Sequence, residues 1–278
     1  MGLQINTNVA ALNAYRNLSS TQGAMNTSLE RLSSGLRINR AADDASGLAV
    51  SEEMHSNIRG MAIASRNALD GVSVAQIADA ALSSTGDLLG RARDLAVKST
   101  NATLSDTQRA NLDVEYQAVM KELDSVGNTV DFNGVKLFDG TLSAAASALT
   151  LQVGYKGDKD GQIALTLMTV SSTGLSVNGT AISSAASAAS AIASLDAAIK
   201  KNTTERAKIG ALQNRLEKVI DRLGIMTENT QAAESRIREA DMAQEMIGFS
   251  KFQILQQSGT AMLSQANSAP QSILSLLR

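Results

Sequence analysis

Apolar side chains along most of this chain recur in steps of three and four residues, and a single proline, Pro270, is available to interrupt them. That spacing keeps one stripe on one face of a helix, and without internal breakers the helices can be long. Leu18, Gln22, Met25, Leu29, Leu32 and Leu36 advance by 4, 3, 4, 3 and 4, the seam of a coiled-coil helix that Gly35 and the segment 37–45 disturb. A second pattern runs through Ile58, Met61, Ser65, Ala68, Val72 and Ala75 and weakens at Asp79 and Gly86, which implies local rearrangement and not a stop. The clearest repeat is Ile209, Leu212, Leu216, Val219, Leu223 and Met226. Its frame continues through the smaller Thr230, Ala233, Ile237 and Ala240 and reaches back through Leu195 into an Ala/Ser tract at 183–194.

Between these arms the texture changes. Ser105 with Gln108 three residues on reads as a capping box, opening a helix whose stripe is Leu112, Tyr116, Val119, Leu123 and Val126. Gly127 and Asn128 are the expected left-handed end of that helix. From Val130 to Thr180 the dipeptides Asn133-Gly134 and Asn178-Gly179 mark turns, while 149–153 and 162–167 alternate apolar and polar residues, a small β region of hairpins. The fold class is therefore mainly α with a small β region: a long antiparallel helical bundle or coiled coil formed by both chain arms, plus β-hairpins.

Both ends are almost uncharged. Arg16 is the only charge from Met1 to Ser28, and Lys251 the only one from Gly248 to Leu277. Such helices lack the charged face that keeps a surface helix in water, so the ends are expected to pair with each other and with other copies of the chain. Only 3% of the 278 residues are aromatic although 44% are hydrophobic, so small side chains must do the packing and helices can approach closely. A formal net charge of −2 gives no electrostatic reason to expect nucleic acid, and zero cysteine removes disulfides, thiolate metal sites and a cysteine nucleophile. The start of the chain has no basic signal region, and no apolar run approaches the roughly 18 residues of a membrane span. Export would then need another machine.

Several ordered motifs resemble bacterial flagellin across nearly the whole chain. They are Ile5-Asn-Thr-Asn-Val-Ala-Ala-Leu12, Leu32-Ser-Ser-Gly-Leu-Arg-Ile-Asn39, Asp43-Asp-Ala-Ser-Gly-Leu-Ala49, Ile58-Arg-Gly60, Arg93-Asp-Leu-Ala-Val97, Phe132-Asn-Gly-Val-Lys136, Gln152-Val-Gly154 and Ile273-Leu-Ser-Leu-Leu-Arg278. The resemblance implies a non-enzymatic filament subunit used for motility, in a short form with only 141–202 available for variable outer domains. It implies an inner coiled-coil domain from 1–42 and 243–278 and an outer rod at 43–242, with helices at 43–129, the β region at 130–180 and a helix at 183–240. Leu18, Met25, Leu29, Leu32, Leu36, Phe249, Phe252, Leu255, Met262, Leu276 and Leu277 are the expected inner-domain assembly residues. Ala42, where relatives often carry Lys, departs from the pattern.

The implied partners are copies of the chain in a helical filament, an export chaperone, the flagellar cap and hook-junction proteins, and the implied location is outside the cell in the flagellum. Arg91, Leu95 and Glu115 match positions that contact Toll-like receptor 5 in similar flagellins, so the monomer is expected to be read by that receptor; packing of subunits is the competing role. The hook-filament junction protein of the same superfamily is the near alternative, and a membrane-active secretion translocator the alternative from another class.

No cofactor or metal is expected. His55 is the only histidine, so a His-Glu-x-x-His zinc site cannot form. Asp43 and Asp44 read as spoke or capping residues, not an acid pair, because adjacent side chains point apart. Met226, Met242, Met246 and Met262 at helical spacing read as adaptable packing. Ser171 to Thr173 and Thr180 read as unmodified polar turns, with O-linked sugar the lesser alternative.

Overall fold

A computed structural model describes residues 7–144 and 147–276, with side chains as far as Ala269. Of the described residues, 73% are helical. Its described elements are α1 (Val9–Ser34), α2 (Ala45–Ser99), α3 (Asp106–Thr129), β1 (Asp131–Phe132), β2 (Val135–Lys136), β3 (Leu149–Gln152), β4 (Gln162–Leu165), α4 (Ala185–Arg238) and α5 (Met242–Leu276). They divide into two compact units: Met1–Ser56 with Asn229–Arg278, and Asn57–Glu228. The mainly helical class read from the periodicity is the class observed.

The unit at 57–228 is organised by α2. Starting at Met61, every residue reached by alternate steps of three and four is buried: Ala64, Ala68, Gly71, Ala75, Ala78, Leu82, Thr85, Leu89, Ala92, Ala96 and Ser99. The same steps on α4 run from Ala188 to Met226 through Leu195, Asn202, Ile209, Leu216 and Leu223. The two seams are antiparallel, held in register by Arg93 Nε to Asp196 at 2.6 Å and Arg206 Nε to Asp79 at 2.9 Å. Half of the seam residues on α2 are Ala, which permits close backbone approach over a great length.

Asp79 and Gly86 do not disturb α2, which is continuous through both. The missing side chain at Gly86 has a packing reason. A Cβ there would lie 3.1 Å from Nδ2 of Asn202, which donates to the Leu82 carbonyl at 3.0 Å. A buried polar residue at one seam position favours a single register at some expense of stability. Asn202 has that place, 3% exposed.

A second layer covers α2. The capping box of α3 is present, with Ser105 N donating to Gln108 Oε1 at 3.0 Å and Gln108 N to Ser105 Oγ at 3.4 Å. The stripe of Tyr116 and Leu123 is buried, with Leu112, Val119 and Val126 packed against the same core. Arg109 closes the turn between α2 and α3 by donating to the carbonyls of Ser99 at 3.0 Å and Asn101 at 2.9 Å.

The end of α3 departs from the sequence expectation. Neither Gly127 nor Asn128 is left-handed; the chain leaves at Thr129 into extended Val130. Gly127 instead makes room for backbone, since a Cβ would lie 1.6 Å from the Val170 carbonyl oxygen. Beyond it, Asn133 (φ 52°) and Gly134 (φ 80°) form the tight turn between β1 and β2. β3 pairs antiparallel with β4, Leu149 opposite Leu165 and Gln152 opposite Gln162.

The stretch from Leu167 to Ile182 has no regular structure yet supplies much of the core: Leu167, Val170, Leu175, Val177 and Ile182 are all buried. Its backbone is tied to α3 by Ser172 N to Asp124 Oδ1 at 2.6 Å and Ile182 N to Asp113 Oδ1 at 2.7 Å. Ser172 and Thr180 are engaged internally, Thr180 by the Tyr116 hydroxyl, which leaves Thr173 as the exposed hydroxyl of the segments considered for sugar.

Candidate assembly surface

The other unit pairs α1 with α5. Asn8 caps α1 by accepting from Ala11 N at 3.0 Å, and Gly35, at φ 72°, ends it by donating to the Arg31 carbonyl at 2.8 Å. Asp241 opens α5 by accepting from Ala243 N at 2.9 Å and Gln244 N at 3.2 Å. The helices run antiparallel. Asn8 Nδ2 donates to the Ala266 carbonyl at 2.7 Å, Gln256 bonds Gln22, and Ser28 bonds the Glu245 carboxylate. At the middle, Gly259 admits Leu18, whose Cδ1 would stand 3.2 Å from a Cβ there.

This seam is only half closed. On α1 it uses Ala14, Leu18, Thr21, Met25, Ser28 and Leu32; on α5 it uses Phe249, Phe252, Gln256, Gly259 and Leu263, and of all these only Ser28 is fully buried. The observed stripe on α1 shares Leu18, Met25 and Leu32 with the stripe read from the sequence. Leu29 is a correction to that stripe: it is 48% exposed and Ser28 holds the seam position. The Glu245 carboxylate explains the exchange, because the Ser28 hydroxyl bonds it across the seam. Leu36 lies past the helix end, where it bridges antiparallel to Glu239.

The outward faces are apolar. Leu12, Tyr15 and Leu29 are exposed on α1, and Met242, Met246, Leu255 and Met262 on α5, beside Ile247 and Ile254 at 71% and 63%. Met246, Ile247, Ser250, Lys251, Ile254 and Leu255 line a groove of ≈ 510 Å³ along α5. Large apolar residues concentrated on one helix pair mark a surface that another protein covers. Among the expected inner-domain residues, Leu18, Met25, Leu32, Leu36, Phe249 and Phe252 are half-buried and Leu29, Leu255 and Met262 exposed. Leu277 and the side chain of Leu276 lie outside the described residues.

Arg91 and Glu115 are exposed and paired across α2 and α3, Arg91 Nε standing 2.9 Å from Glu115 Oε1. Leu95 does not share that surface. It is 3% exposed within the core, because α3 and the stretch 167–182 cover a second face of α2 beside the seam. Asp44 opens α2 by accepting from Gly47 N at 2.8 Å. Asp43 accepts from the amides of Arg40 and Asn39, at 3.0 and 3.1 Å, and these bonds hold its carboxyl below the ordinary 3.8. Both carboxylates are thus occupied in shaping the linker. His55 is exposed on α2.

Two coils on one chain, one closed by its own side chains and one with an uncovered apolar outer face, define a subunit completed by other subunits. Comparison with known proteins agrees. The bacterial flagellin N-terminal helical region matches residues 5–143, and the flagellin C-terminal helical region residues 192–277. The chain is 43% identical over 284 residues to the flagellar filament 33 kDa core protein of Treponema phagedenis, covering 99% of each. It is 40% identical over 304 residues to the flagellin of Bacillus subtilis, covering 99% of this chain and 100% of the relative. The chain belongs to the flagellin family, and it is a structural subunit that polymerises into the bacterial flagellar filament.

A solved flagellar hook-associated protein from Vibrio parahaemolyticus shares the fold at TM-score 0.59 and 15% identity, over 71% of this chain and 100% of that one. Filament proteins match at much higher identity and full length, so the hook-junction alternative is not favoured. The same full-length matches do not favour the membrane translocator either, and no described helix is long and apolar enough to cross a membrane.

Proposed function

We propose that the outward faces of α1 and α5 form the water-free inner wall of the filament. The exposure of Ile247, Ile254 and Met262 on a helix whose only charge near them is Lys251 supports this reading most directly. Identical subunits meeting through two different faces make a heterologous contact, which grows into a helical filament when its rotation does not close. Leu29, Leu255 and Met262 then meet neighbouring copies, while Leu18, Met25, Leu32, Phe249 and Phe252 zip α1 to α5 within one subunit. Because that seam includes Thr21, Gln22, Ser28 and Gln256, its apolar contribution is small, and the arms gain full order only when a neighbour covers them.

Export of the chain as an unfolded polypeptide, free of disulfides, fits this order-on-assembly scheme. A chaperone that shields α5 before export, and cap and hook-junction proteins that receive the subunit, complete it. Arg91 and Glu115, exposed as a pair, are the positions through which Toll-like receptor 5 would read a free subunit. The test of the assembly reading is Ile254→Asp in the full chain, assayed by seeded polymerisation and sedimentation. A charge in a water-free wall has no partner, so polymerisation should fail while the unit at 57–228 melts as in the parent protein. Filaments at the parent critical concentration would overturn it.

A further inference from the structure

The last four carbonyls of a helix have no partner inside it and must find one elsewhere. At the C-terminus of α4 that demand is met almost entirely from the other end of the chain. Ser235 accepts from Glu239 N at 2.9 Å, within the local turn. The guanidinium of Arg37 donates to the Ile237 carbonyl at 2.7 Å and reaches the Arg236 carbonyl at 3.4 Å. The Arg238 carbonyl accepts from Arg37 N at 2.7 Å and Ile38 N at 3.4 Å, and Ala240 N returns a bond to the Gly35 carbonyl at 2.9 Å. Leu36 and Glu239 are thereby bridged like a one-residue antiparallel ladder. The left-handed turn at Gly35 points the linker back toward α4, and Arg238 is itself paired with Glu52 on α2 at 2.8 Å.

We propose that Arg37 is a positioning residue for polymerisation: it closes a clamp between the two linkers that sets α1 and α5 side by side before their outer faces meet another copy. The proposal rests on the assembly reading above. Its physical basis is position along the chain. α1 ends at Ser34, just before the clamp, and α5 begins at Met242, just after it. The first seam layer, Ser28 on the Glu245 carboxylate, follows directly. Once the clamp is closed the arms need only zip from a fixed origin. Without it, each subunit entering the filament must find that register while also ordering its arms. Arginine suits the task because one guanidinium nitrogen, Nη2, carries two N–H donors that face two successive carbonyls, and the group places a positive charge at the negative end of the α4 dipole. Arg109 does the same at the end of α2 within its own unit; Arg37 does it across the two arms.

The experiment uses the full chain with Arg37→Ala and Arg37→Lys, and reads two quantities. One is amide hydrogen exchange of Ile38 and Ala240 in the soluble subunit; the other is the critical concentration in seeded polymerisation. Melting of the unit at 57–228 verifies that each variant is folded. For Arg37→Ala the amides should exchange about tenfold to a hundredfold faster, the equivalent of one charge-assisted hydrogen bond, and the critical concentration should rise by about tenfold. Arg37→Lys, which keeps the charge but on a shorter side chain without the fixed guanidinium plane, should fall between Ala and the parent. Unchanged exchange and polymerisation in Arg37→Ala would overturn the proposal. So would impaired polymerisation with parent-like exchange, which would make Arg37 a contact between subunits. The Ile254→Asp variant separates the two readings: if it polymerises normally, the inner-wall assignment fails, while the exchange measurement still judges the clamp.

Discussion

Gly127→Ala should destabilise the unit at 57–228 although the position is helical and exchange of Gly for Ala in a helix ordinarily stabilises by about 0.5–1 kcal/mol. The added methyl would stand 1.6 Å from the carbonyl oxygen of Val170 and 2.8 Å from its carbon, both backbone atoms. Val170 cannot retreat freely, because its own N–H donates to the Phe138 carbonyl at 3.1 Å and Ser172, two residues on, bonds Asp124 through both its amide and its hydroxyl. Displacement by more than an ångström breaks the Ser172–Asp124 pair, a charge-assisted interaction of about 1.5–3 kcal/mol, and adds roughly 1–3 kcal/mol of overpacking. Subtracting the helix gain leaves a net loss of roughly 1.5–5.5 kcal/mol. For a unit of this size that lowers Tm by about 3–20 °C. The control is Gly90→Ala, where nothing lies within 4 Å of the added Cβ and a rise of about 1–4 °C follows from the helix term alone. Thermal unfolding followed by circular dichroism measures both. Equal shifts of the same sign would refute the argument that the close approach to Val170, and not helix propensity, decides the outcome at Gly127.

Arg91→Ala with Glu115→Ala should abolish receptor activation by purified subunits and change Tm little, since an exposed ion pair contributes about 0–1 kcal/mol. Full activity in a reporter-cell assay would exclude these residues from recognition. Leu95→Ala is not an equivalent probe, because it opens a cavity in the core and lowers Tm whatever the receptor does. Burial raises the Tyr116 hydroxyl above its ordinary 10.0, opposed by its bond to Thr180 and reinforced by Asp113. Since the unfolded chain then loses this proton first, the stabilisation is complete below pH 10 and declines as pH rises toward the folded value. Tyr116→Phe should therefore flatten the fall of Tm on the alkaline side. A fall as steep as the parent's would assign it to other groups.

What the chain disclosed about itself was periodicity and local chemistry. The α4 heptad from Ile209 to Met226, the Ser105–Gln108 capping box and the Asn133-Gly134 turn each need only a few neighbouring residues, and each is where it was expected. Depth is another matter. Leu95 and Ala96 are both buried, although a single seam would have hidden one of them, because α3 supplies a second cover that no local pattern announces. Leu29 fits a heptad better than Ser28, yet the carboxylate of Glu245, bonded across the seam, selects the serine. Arg37 and Arg109 read in sequence as surface charge. Their roles depend on carbonyls that tertiary structure brings to them, Arg37's from residues about 200 positions away.

The same three-and-four repeat serves opposite ends in the two units, and the difference lies in what surrounds it. In the unit at 57–228, α3 and the stretch 167–182 cover the α2 seam until Leu82, Leu89, Ala92 and Ala96 are wholly enclosed. Its apolar burial is completed within one chain, as a subunit that must persist alone in solution requires. Among the described residues, the α1–α5 pair has no second layer. Its seam mixes Phe249 and Phe252 with Gln256 and Ser28, and Leu12, Leu29, Ile247, Ile254 and Leu255 are left exposed. Enclosing those outward residues inside the subunit would produce a more stable monomer with nothing left to drive growth. On the proposed reading, leaving them bare while the linkers hold both arms at a common origin makes neighbouring copies the missing layer, and the free energy of burial then appears as polymerisation.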